Sequence, residues 1–259
     1  MILVVRHLAD PVSDALACLL GPRLRSLYIE GWLAGCTVVH TVGPAGVTTR
    51  MSDRGGGILL DDTTAVVLNR VAHVAAPAFL QAPPGDSDYA TVEATAAFWS
   101  CLEGLCCPLL NAPAALRMAG TGAELGAAGH AAAAGLHTRL MRMTTRSRRD
   151  ESPTIQPFAG AGIVPVGAPG VMRLPNSGEC GTLWVVGDKV LGDLDGVDGA
   201  AALSFARRIG LGFGTLQFVR SPTRQWSWTG FDALPAPAPA AVLDALAGYL
   251  LGHEMAADV

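Results

Sequence analysis

Apolar and polar positions switch between two rhythms along this chain. "MILVVRH" opens it with a continuous apolar run of strand length that stops at Arg6 and His7. "DPVSDALACLL" then changes to helical spacing. Leu16, Leu19 and Leu20 fall on one face, Asp10 stands as N-cap and Pro11 takes the first helical position. "LRSLYIE" predicts a second strand, and a strand–helix–strand start predicts a parallel sheet. "CTVVHTV", "GVTTRM" and "GGILL" predict short strands between glycine turns. "TAVVLNRV" predicts a buried strand that ends at Asn69 and Arg70, where a parallel sheet presents its site.

"APAFLQAPPGDSD" has loop composition. The stretch "DYATVEATAAFWSCLEGLCC" predicts a helix with Tyr89, Val92, Ala96, Trp99 and Leu102 on its apolar face. A turn at Asn111, a helix entered through Pro113 and a small-residue helix stopping at Gly135 follow. From Thr138 to Asn176 the pattern weakens: "TRSRRDESPT" is charged, and "IQPFAGAGIVPVGAPGVMRLP" mixes Gly and Pro with strand-like fragments. Its glycines lack the strand, G-x-G-x-x-G, helix setting of a dinucleotide site. "CGTLWVVGDKVLG" predicts a hairpin around Gly187 and Asp188. An amphipathic helix "GAAALSFARRIGL", strands "FGTLQFV" and "QWSWTGF", and a final helix "APAAVLDALAGYLLG" complete the chain. The predicted class is α/β with α+β, in three segments: an N-terminal parallel α/β lobe over 1–111, a reduced middle over 112–176, and a C-terminal α+β lobe over 177–259.

Composition narrows the function classes. Half the residues are hydrophobic and only 15% are charged, so a packed core is expected rather than disorder. A net charge of −4 argues against nucleic acid as partner. The N-terminal apolar run is too short for a signal peptide, and no run reaches the roughly 18 residues of a membrane span, so a cytoplasmic location is expected. Six cysteines without a C-x-x-C pair argue against zinc sites and disulfide frameworks. Lys189 is the one lysine among 18 basic residues. With abundant Ala, Gly and Pro, this suggests a high-GC bacterial coding sequence, and it leaves Lys189 as the only amine side chain for chemistry.

Several residues are candidates in their own right. Arg70, ending a buried strand, can bind a carboxylate or a peptide side chain, and Arg220 is a weaker candidate of the same kind. His130 and His137 can pair as acid and base, and Cys106–Cys107 can offer a nucleophile beside His130. The basic run "RLMRMTTRSRR" can dock an acidic peptide or partner. Ala- and Leu-rich helices from Asp88 and Ala238 permit a homodimer.

The order of pieces resembles the ATP-grasp superfamily, in particular the ligases of ribosomal-peptide maturation. "VVLNRV" is similar to that family's N-lobe strand ending in arginine. "SDYATVEATAAFWSCLEGL" is similar to its D-x-x-Y…E helix, and "NAPAALRMAGTGAELGAAGHAAAAGLHT" to its N-x-P-x-A helix, lysine turn and A-x-x-x-G-L-x-T segment. "TLWVVGDKVLG" resembles the V-V-G-D-x-V hairpin, "FARRIGLGFGTLQFV" the stretch A-x-x-L-G-L-x-F-G-x-x-D, and "WSWTGFDALP" the strand W-x-F-x-E-x-N-x-x-P. The resemblance implies an ATP-grasp fold with a cleft for nucleotide and substrate, and bacterial peptide tailoring as the setting.

The family's catalytic positions are changed one after another. The phosphate lysine after the N-x-P helix matches Gly122, and the lysine of its V-K-P strand matches Gln156. The D-x-R before the hairpin matches Cys180-Gly181-Thr182, the first metal aspartate matches Gln217, and E-x-N matches Gly230-Phe231-Asp232. Phosphoryl transfer needs cations to neutralise developing charge, and Mg²⁺ wants several carboxylate oxygens. The expectation is therefore a degenerate member with no metal site and no nucleotide cofactor, which binds a peptide, a small-molecule intermediate or a partner enzyme. The alternative is a working carboxylate–amine ligase using ATP and Mg²⁺, with its phosphate contacts moved to Arg70, Arg173 or Arg220. The candidate ligand contacts are Arg70, Gln156, Arg173, Gln217, Arg220 and Asp232.

Overall fold

The computed structural model describes residues 1–44, 46–61, 63–74, 81–118, 124–138, 142–144, 155–157, 170–172, 178–221 and 223–257. The chain divides into two compact units. The first is Met1–Leu116 with Leu234–Val259, and the second is Arg117–Ala233. The last helix thus returns to the N-terminal lobe rather than staying with the strands before it.

In the first unit, strands β1 (Ile2–Arg6), β2 (Leu24–Tyr28), β6 (Val66–Asn69) and β7 (Leu109–Leu110) form the predicted parallel sheet, in the order β2-β1-β6-β7. Every residue of β1 and β6 is buried, which explains the apolar runs that lead up to Arg6 and Asn69 at their ends. Helix α1 (Pro11–Leu20) follows β1. It buries Val12, Ser13, Leu16 and Leu20, while the predicted face residue Leu19 is exposed. Helix α7 (Ala240–Ala257) lies against α1, β1 and β6. The strand stops at Tyr28: Ile29 opens a short helix, α2 (Ile29–Gly35), that buries Ile29 and Trp32.

Strands β3 (Cys36–Gly43), β4 (Gly46–Asp53) and β5 (Ile58–Leu60) form a separate antiparallel sheet, with β3 at its edge. Helix α3 spans Pro84–Glu103, four residues earlier than the pattern suggested, because Pro84 provides a preset first turn. Its buried face is Ala94, Thr95, Phe98, Cys101 and Leu102. Tyr89 and Val92, expected inside, are 67% and 63% exposed. The core-facing stripe is set by where Phe98 meets Trp32, edge to face at 5.2 Å.

The second unit holds helices α5 (Glu124–Ala133) and α6 (Gly199–Ile209). Its main sheet has the order β12-β11-β13-β14, from β11 (Cys180–Val186), β12 (Lys189–Leu191), β13 (Phe213–Arg220) and β14 (Trp226–Asp232). Short strands β8 (Arg142–Thr144), β9 (Ile155–Pro157) and β10 (Gly170–Met172) pair as β8-β10-β9. Helix α4 (Pro113–Met118) starts at Pro113 as expected, and Asn111 before it takes a left-handed turn with φ 59°. The β11–β12 hairpin turns through Gly187 at φ 58°. Asp198 caps α6 by accepting from the Ala200 N–H, and Gly210 ends that helix at φ 74°. Among the described residues no helix is long and apolar enough to cross a membrane.

Candidate functional site

The face that carries the candidate ligands of the second unit is made by a register shift. Gln217 pairs with Gly230, but Phe218 pairs with Trp228, so β14 holds one extra residue opposite β13. The shift separates two sets of side chains. Trp226 and Trp228 fall on the inner face, 7% and 1% exposed, and Phe205 of α6 meets Trp228 edge to face at 5.2 Å. Gly181 lets Trp226 lie close to β11: a β-carbon there would come within 2.9 Å of the indole ring. Neither indole N–H finds an acceptor among the described residues, so both tryptophans serve by apolar packing and not through a polar edge.

Beyond the shift, alternation places Thr215, Gln217, Gly230 and Asp232 on the opposite face. Gln217 is exposed, and its Oε1 lies over Gly230, 3.3 Å from where a β-carbon would stand. The Thr229 hydroxyl donates to the Gln217 carbonyl at 3.2 Å. Asp232, half-buried, is opposite Thr215. The structure thus unites Gln217, Gly230 and Asp232, three of the positions singled out in the sequence. Their chemistry is one carboxylate beside a neutral amide and a glycine. A hard divalent cation bridged by two carboxylates does not fit that set. Among the described residues no group of three or more His, Cys, Asp or Glu side chains is placed to hold a metal ion. Lys189, the only lysine, is exposed at the start of β12, opposite Val186.

The two arginines that pointed to substrate are engaged within their own units. Arg70 is buried at 4% exposure. Its Nε donates to Asp10 Oδ2 at 3.1 Å, and its Nη2 donates to Asp10 Oδ1 at 3.0 Å and to the Pro235 carbonyl at 3.2 Å. Asp10 also accepts from the Ser13 hydroxyl and makes no side-chain cap bond to α1. Burial pushes the Asp10 carboxyl up. The Arg70 hydrogen bonds and charge, with Ser13 and Arg6, outweigh that and hold it below the usual aspartate range. Arg220 is held by Glu179 at 3.2 Å, Asp195 at 3.8 Å and the Arg224 carbonyl at 3.3 Å, and its guanidinium stands 5.4 Å over the Trp226 ring. Gln156 sits in β9 opposite Val171. Arg173, Gly122 and most of the basic run from Arg139 to Arg149 lie outside the described residues.

The other nucleophile and acid–base candidates take ordinary partners. His137 accepts from the Gln225 amide at 2.6 Å, and its backbone carbonyl accepts from the Trp228 backbone N–H at 2.7 Å. His130 stands half-buried in the last turn of α5. Cys106 is exposed and Cys107 half-buried, beside a small cavity lined with Thr48, Thr49, Asp61 and Leu105. Burial, and then its neighbour Cys106, push the Cys107 thiol up, away from nucleophilic thiolate. At the carboxyl end of β1 the sequence reading passed over two side chains. Arg6, 2% exposed, donates to Asp14 at 2.6 Å, and His7 Nδ1 stands 3.0 Å from Glu30 Oε1. The signal was there: Arg6, the last residue of β1, and His7 after it are the first polar residues following an apolar run.

No family model and no curated protein matches the sequence. Solved structures do. A RiPP-associated ATP-grasp ligase of Chryseobacterium gregarium, in complex with ADP and a leader and core peptide, superposes with a TM-score of 0.68 at 13% identity, over 97% of this chain and 96% of that one. The ATP-grasp ligase PsnB, complexed with minimal precursor, Mg and ADP, gives 0.70 at 15% identity over 98% of both chains. The macrocyclase MdnC of Microcystis aeruginosa, bound with precursor peptide MdnA, gives 0.70 at 14% identity over 97% of this chain and 99% of that one. Matching these structures over nearly its whole length, this chain has the ATP-grasp fold.

Proposed function

We propose that this protein is a peptide-binding member of the ATP-grasp fold in bacterial peptide tailoring, working in the cytoplasm without ATP-dependent ligation. The observation that carries the reading is the cross-strand pair of β13 and β14. Gln217 and Gly230 stand opposite each other where the family resemblance expects metal carboxylates, so Asp232 is the one acid of the three positions. A site with a single acid and no lysine neutralises a polyphosphate poorly, whereas the exposed Gln217 amide beside the half-buried Asp232 carboxylate suits a peptide. Support for a peptide partner also comes from the three similar structures described above, each of which holds a leader or precursor peptide. Arg70 and Arg220, already paired with Asp10 and with Glu179 and Asp195, offer little to relocated phosphates.

Calorimetry tests the reading. Millimolar Mg-ATP should give no binding heat with the native chain. Gln217→Asp combined with Gly230→Glu should restore Mg²⁺-dependent nucleotide binding. An aspartate side chain, shorter than that of Gln217, withdraws the atom that crowds Gly230, so both carboxylates have room. Micromolar Mg-ATP binding by the native chain, with ADP released on adding a peptide, would instead establish a working ligase.

A further inference from the structure

We propose that the carboxyl edge of the parallel sheet in the first unit is a site for an imidazole-binding divalent cation of the zinc class, with His7 and His73 as its ligands and Glu30 as the residue that orients His7. The order β2-β1-β6 sets three parallel strands side by side, so the segments that leave them emerge at one edge. Ligands of open α/β sheets gather outside such an edge. The segment after β2 brings Glu30, the segment after β1 brings His7, and the segment after β6 brings His73. The two imidazole rings lie 5.9 Å apart between centroids, tilted by 46°.

The turn that carries His7 is held from two sides. Arg6 Nε donates to the His7 carbonyl at 3.0 Å, and Arg6 Nη2 donates to the Leu8 carbonyl at 3.1 Å. From the other side Glu30 Oε1 accepts the Leu8 N–H at 3.1 Å and stands 3.0 Å from His7 Nδ1. Burial raises the Glu30 carboxyl, but the backbone N–H groups of Glu30 and Leu8, and then His7, outweigh it and hold it below the usual glutamate range. A carboxylate can only accept, so the ring proton sits on Nδ1 and the lone pair of the neutral imidazole is left on Nε2. This carboxylate–histidine pairing fixes the tautomer and raises the basicity of a metal ligand. The backbone around His73 is also pinned. The Val71 N–H donates to Asn69 Oδ1 at 3.0 Å and the Val74 N–H donates to Thr95 Oγ1 at 3.0 Å, with both valines buried. The His73 side chain is left exposed beside His7.

The donor set selects the ion. Imidazole nitrogen suits zinc and its transition-metal neighbours, whereas Mg²⁺ and Ca²⁺ want oxygen. Zinc sits about 2.0–2.1 Å from a ligating nitrogen, so two rings on one ion at a tetrahedral or wider angle have centroids about 5–6 Å apart. The observed spacing falls in that range. Arg6, the cation next in sequence, is paired with Asp14 at 2.6 Å, which offsets its repulsion of the ion. Two imidazoles are fewer than a closed structural centre uses, so water fills the remaining positions and the ion exchanges freely. That count agrees with the absence, among the described residues, of any cluster of three or more His, Cys, Asp or Glu ligands.

Calorimetric titration of the native chain with submillimolar Zn²⁺ should show binding near one ion per chain, and proton NMR should show the His7 and His73 ring signals moving together. His73→Ala should weaken this binding at least tenfold. Since His73 is exposed, circular dichroism should show the variant folded. Glu30→Gln keeps both imidazoles and the size of the side chain, and should weaken binding about 10–100-fold. A native chain that takes up no Zn²⁺ would overturn the proposal. So would a His73→Ala chain that binds as tightly as the native one, since the ion would then sit at a free thiol or another histidine. A folded Glu30→Gln chain with native affinity would remove Glu30 from the site.

Discussion

Trp228→Ala lowers the stability of the second unit by about 3–5 kcal/mol, the cost of emptying a large aromatic site in a packed core. Trp228 is 1% exposed and braces Phe205, which in turn meets Phe231 at 6.3 Å. In urea this is a midpoint drop of about 2 M at a typical slope. Trp228→Phe costs less than half as much. It keeps most of the apolar area and removes an N–H that meets no acceptor among the described residues. A Trp228→Ala midpoint within about a quarter of that shift of the native value would mean that β14 is held by something other than its indoles.

The second large effect lies in the first unit. Arg70→Met leaves the Asp10 carboxylate buried with its main partner gone, at a cost of about 3–5 kcal/mol near neutral pH. Adding Asp10→Asn removes the stranded charge and recovers much of the loss. The pH dependence changes sign between native and variant. In the native chain Asp10 is held low. Its contribution is present above the unfolded value, about 3.9, and is lost as pH falls through the lower folded value. In Arg70→Met burial dominates and raises the folded value, so stability increases as pH falls from neutrality toward the unfolded value. Urea midpoints measured across that range decide it: parallel native and variant profiles would refute a charge pair at this position.

Much of this fold was legible because its elements carry strong local signals. Continuous apolar runs gave β1 and β6, glycine turns gave β3 to β5, and the Gly187 hairpin emerged with its bounds. What periodicity could not supply was the direction of burial. On α3 the stripe through Tyr89 and Val92 and the stripe through Thr95 and Phe98 are both helical, and only the position of Trp32 chooses between them. Arg70 shows the same limit for chemistry. Its place at a strand end suggested a ligand, but its carboxylate partner, Asp10, lies sixty residues away and is visible only in the fold. At β13–β14 the residue identities of Gln217 and Gly230 were readable, but that the two stand opposite each other comes only from the register.

The extra residue in β14 has a bearing on how such a chain drifts. It divides one short strand into two mutational compartments: aromatic anchors that answer to α6, and positions that answer to whatever occupies the outer face. Residues on the outer face can therefore change without loss to the packing that holds the strand, whereas the aromatic anchors cannot.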